Sequence, residues 1–137
     1  MFQHLLVAVD GSREASKTIP VAVDLATKFD SKVTVVHVRE HERYEGDDVD
    51  LGPAMSAEEI VNGAVEAFAE AGVHADSVIR RVRPGDTPDQ IVKVAQETEC
   101  DLIVMGTRGM TEWKSLLLGG VANKVVHHAH CPVLLVR

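Results

Sequence analysis

The chain predicts an α/β fold, a five-stranded parallel sheet doubly wound with helices on both faces. Three observations predict it. Short runs of Val, Leu and Ile alternate with stretches of helical periodicity along the whole sequence, the pattern of βαβ units. The runs are continuously apolar rather than alternating, as in strands buried on both faces. The junctions carry helix-start and helix-stop residues at the expected positions. A length of 137 residues suits one domain, and 45% hydrophobic residues can fill a core. Aromatic residues make up only 4%, so that core is aliphatic.

The first strand is residues 4–9, HLLVAV, broken by DGS. Ile19, Ala22, Val23, Ala26 and Phe29 then recur at helical spacing, with Ser12 as a candidate N-cap. Pro20 lies inside this pattern and predicts either a kink near 16–20 or a helix that begins there. Residues 32–38, KVTVVHV, form the second strand. Ser56 and Glu59 spell a capping box opening a helix through Ala71, and Gly72 stops it. Residues 77–82 read as the third strand. Thr87 as cap and Pro88 at the first helical position start a helix that runs to about Thr98. Residues 101–105 are the fourth strand. VANKVVHHA is a short last helix, and residues 132–136 are the fifth strand.

Charge is distributed unevenly. Residues 40–59 hold eight acids and one arginine, which accounts for the whole net charge of −7. This segment reads as a solvated acidic linker, with a partner or a metal as the other reading. The absence of a basic stripe argues against nucleic-acid binding. No apolar stretch is long enough to cross a membrane as a helix. The N-terminal MFQHLLVAVDGS reads as a strand rather than a signal peptide. Cys100 and Cys131 read as free thiols in a reducing cytoplasm.

Ligands of such sheets bind beyond the carboxyl ends of the strands, where strand order reverses. Asp10 and Ser12 follow the first strand, and GTRGMTEWKSLLLGG follows the fourth, with glycines at 106, 109, 119 and 120. Glycines at 106 and 109 let a loop fold back with its N–H groups pointing inward, and those at 119 and 120 precede a helix whose first N–H groups are unpaired. Together they suit a phosphate cradle, although a plain strand-to-helix connection would use glycines as well. Trp113 and Lys114 fit either a lid over the ligand or packing on the last helix. His127, His128, His130 and Cys131 do not converge on one metal ion, because adjacent helical residues diverge by about 100°. Walker and Rossmann phosphate motifs, a receiver-domain acidic cluster, the aromatics of a flavin site and a Ser-His-Asp set are all missing from the sequence.

GTRG, nine residues, then GG resembles the G-x2-G-x9-G-[S/T] signature of the universal stress protein (UspA-like) family, in its ATP-binding branch. LLVAVDGS, VTVVHV, DLIVMGTRG and NKVVHHAHCPVLLVR are similar to it too, so the resemblance covers nearly the whole chain except residues 40–55. It implies a Rossmann-like, adenine nucleotide alpha hydrolase-like sheet of order 3-2-1-4-5. It implies ATP with Mg²⁺ in the crevice. Ala8 and Val9 would then line the base pocket, and Val38 would offer backbone groups to adenine. Asp10 would face the ribose and the metal–phosphate end. Met105, Gly106, Arg108 and Gly109 would form one phosphate wall, with Gly119, Gly120, Val121 and Ala122 the other. Gly120 stands where the family has Ser or Thr, which removes one hydroxyl donor to phosphate. The implied role is a stress-response module that senses ATP and hydrolyses it slowly at most. The fifth strand, at a sheet edge in this order, predicts a homodimer through residues 132–137. The competing expectation is a dimeric protein-interaction module whose glycine loop is structural, with a regulatory partner that the sequence does not name.

Overall fold

The computed structural model describes residues 1–12, 17–107 and 119–137. Its elements are β1 (His4–Ala8), α1 (Thr18–Phe29), β2 (Lys32–Tyr44), β3 (Asp47–Asp50), α2 (Ala57–Glu70), β4 (Ala75–Val82), α3 (Thr87–Glu97), β5 (Leu102–Gly106), α4 (Gly120–His128) and β6 (Val133–Val136).

Five strands are parallel and lie side by side as β4-β2-β1-β5-β6. This is the expected 3-2-1-4-5 order, with the strands renumbered for an additional one. The additional strand, β3, pairs antiparallel with the outer end of β2. Each face of the sheet buries its own aliphatic layer. One contains Leu5, Val7, Val33, Val35, Val104 and Phe68 together with the small residues of α1 and α2. The other contains Leu6, Val36, Ile103 and Met105 with Ile91, Val94, Ala122 and Val125 of α3 and α4. The alternation of these residues along β1, β2 and β5 is the period of two that puts neighbouring side chains on opposite faces.

Three local expectations change. Helix α1 begins at Thr18 with Lys17 as its N-cap, so Ser12 does not cap it. Pro20 falls in the first turn, where its missing N–H needs no acceptor. Helix α3 has Asp86 at its N-cap and Thr87 inside its first turn, because the Thr87 hydroxyl is engaged elsewhere. The acidic segment is not a plain linker: β2 runs on to Tyr44, turns through Glu45 and Gly46 at φ 51° and 83°, and returns as β3. Two successive positive-φ residues are what a tight two-residue hairpin demands. The capping box of α2 is present as expected, with the Glu59 N–H donated to Ser56 Oγ at 3.1 Å.

Candidate functional site

One cleft lies beyond the carboxyl ends of β1 and β5 and against the middle of β2. Of the sequence-predicted residues, Ala8, Val9, Asp10, Val38, Met105, Gly106, Gly119, Val121 and Ala122 line it together. Gly120 opens α4, is exposed, and is not part of the lining. Arg108, Gly109, Trp113 and Lys114 lie outside the described residues. The sequence reading missed Val36, His37, Arg39, Glu40, Leu51, Gly52, Pro53, Thr87, Ile91 and Thr107, which complete the wall.

Strand register explains why the cleft has an open backbone edge. Along β2, alternate residues turn their N–H and C=O to alternate sides. Val36 faces β1, since its carbonyl accepts the Val9 N–H at 3.0 Å. Glu40 faces the same flank, but its carbonyl accepts from Leu51, just past β3, at 2.9 Å. Hence β1 and β3 share one flank of β2, and Val38 falls between them. Continuing the β1 ladder would give Val38 the Val9 carbonyl and the Gly11 N–H. Instead Val9 gives its carbonyl to His37 Nδ1 at 2.8 Å, and the chain turns away through Gly11 at φ 82°. A side chain at Gly11 would also collide with Ile60 Cδ1, 2.8 Å from an added Cβ. Among the described residues, neither strand partners the Val38 N–H and C=O on this flank, and both face the cleft.

A buried polar chain supports this arrangement. His37 is 1% exposed and Arg39 is 6% exposed. Arg39 only donates, so its Nη1, 3.3 Å from His37 Nε2, makes that nitrogen the acceptor and leaves the ring proton on Nδ1 for Val9. Burial holds the imidazole below its ordinary pKa; the bond to Val9 opposes this and the Arg39 charge adds to it. The rest of the guanidinium ties down the segment after β3. Its Nε donates to both oxygens of Asp50 at 2.9 and 2.8 Å, Nη2 to the Pro53 carbonyl at 2.6 Å, and Nη1 to the Met55 carbonyl at 3.2 Å. The Arg39 bond, and then the Gly52 N–H, hold Asp50 below the usual carboxylate range. Residues 50–55 thus form a strap that closes one side of the cleft.

Glu40 forms the neighbouring wall. Its Oε2 accepts from the Gly85 N–H at 3.1 Å and from the Thr87 hydroxyl at 2.9 Å. Asp10 stands at the end of β1 with its Oδ1 accepting the Ser12 N–H at 2.9 Å, an Asx turn that orients the carboxylate.

The far end of the cleft is the start of α4. Gly119 is its extended N-cap and has no side chain to cap the helix. The Gly119 N–H closes onto the Thr107 carbonyl at 2.8 Å, so it serves the protein's own loop. Val121 and Ala122 occupy the first turn, where helical geometry supplies no acceptor for their N–H groups. Those N–H groups and the helix dipole favour an anion there. Among the described residues no group of three or more His, Cys, Asp or Glu could hold a metal ion, and no helix is long and apolar enough to cross a membrane.

The family model for the universal stress protein family matches residues 1–137. A protein of Staphylococcus aureus (strain USA300) whose name places it in that family is 37% identical over 99% of this chain and 84% of its own length. The solved universal stress protein from Archaeoglobus fulgidus has a TM-score of 0.78, 27% identity and full coverage of both chains. A universal stress protein structure from the same organism in complex with dAMP has a TM-score of 0.68 at 24% identity, again over both whole chains. With a family model spanning its whole length and a relative of this similarity, the chain belongs to the universal stress protein family.

Proposed function

We propose that the cleft binds an adenine nucleotide, ATP with Mg²⁺, and that the chain works as a stress-response sensor rather than as an efficient enzyme. One observation carries this reading: among the described residues, one cleft has an unpaired backbone edge at Val38 at one end and the first-turn N–H groups of Val121 and Ala122 at the other. A purine edge needs adjacent donor and acceptor groups, and a phosphate needs N–H groups and positive potential. The apolar walls between them, Val9, Val36, Met105 and Ile91, suit a flat ring. The dAMP bound to the Archaeoglobus fulgidus protein supports the same ligand class.

Among the described residues Asp10 is the side chain that fits a magnesium ion at this end of the cleft. Asp10 is a single carboxylate, so the remaining ligands would be phosphate oxygens and water, the usual manner for Mg²⁺. When bound, the ion would neutralise phosphate charge. Among the described residues the cleft's other charged side chains are engaged: Arg39 holds Asp50 and two carbonyls, and one oxygen of Glu40 holds Gly85 and Thr87. Neither is set to clamp a transferring phosphoryl group, which is where such catalysis originates. Backbone N–H groups bind the ground state about as well as the transition state and do not speed the reaction.

The test is titration calorimetry with MgATP, followed by single-turnover hydrolysis of labelled ATP. Binding with turnover on the order of hours is expected. Turnover near the ~1–100 s⁻¹ of kinases, lost in Asp10→Ala, would make the protein an enzyme. The second reading, a protein-interaction module with a structural glycine loop, is favoured by the Gly119–Thr107 bond, and absence of any nucleotide binding would select it.

A further inference from the structure

We propose that Glu40 sets base specificity: its carboxylate accepts the exocyclic amino group of adenine and turns away 6-oxopurines. The inference rests on the adenine-nucleotide reading of the cleft.

The backbone gap alone reads purines poorly. Adenine presents an acceptor at N1 beside an amino donor at C6, whereas hypoxanthine presents a donor at N1 beside an oxygen acceptor. One N–H and one C=O at Val38 can satisfy either pair. A carboxylate has acceptors only, so it breaks the tie. It takes a second N–H from an amino group and repels a carbonyl oxygen.

Glu40 is placed for this. It lines the cleft with Val38, lies two residues further along β2, about 6.6 Å by strand rise, and shares its face of the sheet. The carboxylate is held rather than free. Gly85 and Thr87 both bond Oε2, and Oε1 has no hydrogen-bond partner among the described residues. Thr87 gives its hydroxyl to this carboxylate, and α3 begins without a side-chain cap. Anchoring the turn at Gly85 uses only one oxygen, so a purely structural role leaves the second unexplained. A site that offers a fixed acceptor discriminates against a ligand that cannot supply the hydrogen bond.

The probes are adenosine and inosine 5′-monophosphates, which share ribose and phosphate, together with N6-methyl-AMP. Calorimetry on the wild type is expected to give AMP about tenfold tighter than IMP, with N6-methyl-AMP in between. Glu40→Gln, which can also donate, is expected to bring AMP and IMP within about threefold, while its melting temperature reports the anchoring role separately. Equal AMP and IMP affinity in the wild type overturns the inference and leaves the nucleotide reading standing. An unchanged ratio in folded Glu40→Gln also overturns it. If that variant does not fold, the wild-type series decides: N6-methyl-AMP binding as tightly as AMP refutes the use of a second N–H. Failure of both AMP and IMP to bind removes the nucleotide reading and this inference with it.

Discussion

Although its Nδ1–H bond to the Val9 carbonyl favours the charged ring, His37 is held below its ordinary pKa by burial and by the Arg39 guanidinium beside Nε2. Asp10 and Asp50 pull the other way, but from further off. In the unfolded chain the ring takes up a proton near pH 6.5. The folded state resists that proton, so its stability is present above this value and declines as pH falls below it. The melting temperature of the wild type is therefore expected to drop between pH 7 and pH 5. His37→Gln, less stable throughout, should drop less over the same interval. Parallel melting curves across that range would refute the assignment. Asp50 acts in a separate window. Its pKa lies below 3.8, so its contribution disappears only in stronger acid.

At the scale of elements, the strap is the part that sequence patterns hid. β2 and β3 past Glu40 consist largely of Glu, Asp, Arg and His, residues that strand propensities disfavour or rank poorly. The turn is Glu45–Gly46 rather than the usual Asn-Gly or Asp-Gly. Long-range partners decide the outcome, chiefly Arg39 reaching Asp50, Pro53 and Met55, and no local period announces them. The capping box of α2 was legible because both of its bonds are local. Gly52 tests the strap. A Cβ there would lie 2.6 Å from Arg39 Cζ and Nε, and the guanidinium cannot retreat without breaking its bonds. Gly52→Ala is expected to cost roughly 1–3 kcal/mol, as overpacking does, and to hasten proteolysis within residues 45–55. Gly63, in the middle of α2 with nothing within 4 Å of an added Cβ, is the control. Gly63→Ala should stabilise by about 0.5–1 kcal/mol. Equal protease sensitivity in the two variants would mean that the strap does not depend on Arg39.

For the whole molecule, strand order and both core layers were readable because buried parallel strands leave continuous aliphatic runs. Of the candidate site, Asp10 was readable at a strand end and the glycines of β5 and α4 by their spacing, and Ala8, Val9, Val38, Met105, Val121 and Ala122 were readable only through the family resemblance. The strap and Glu40 were not, because they reach the cleft by tertiary contact. Among the described residues β6 is an edge strand, paired only with β5 and carrying Leu134 at 36% exposure. An uncovered apolar edge invites pairing with a second copy, which motivates the expected homodimer through residues 132–137. Light scattering is expected to give a dimer at micromolar concentration and a monomer for Leu134→Glu. A monomeric wild type, or a variant that stays dimeric, would rule this interface out.

The interrupted ladder at Val38 also gives the molecule its own isotope label. Backbone amides in the middle of a sheet exchange with deuterium slowly, because their hydrogen bonds must open first. The Val38 amide sits in the middle of β2 yet faces the cleft between the end of β1 and the Leu51 bond. In the free protein it should exchange far faster than its neighbours Val36 and His37. A base seated on this edge supplies the missing rung, so slowing at this one amide, read by NMR, locates the bound ligand to a single peptide group.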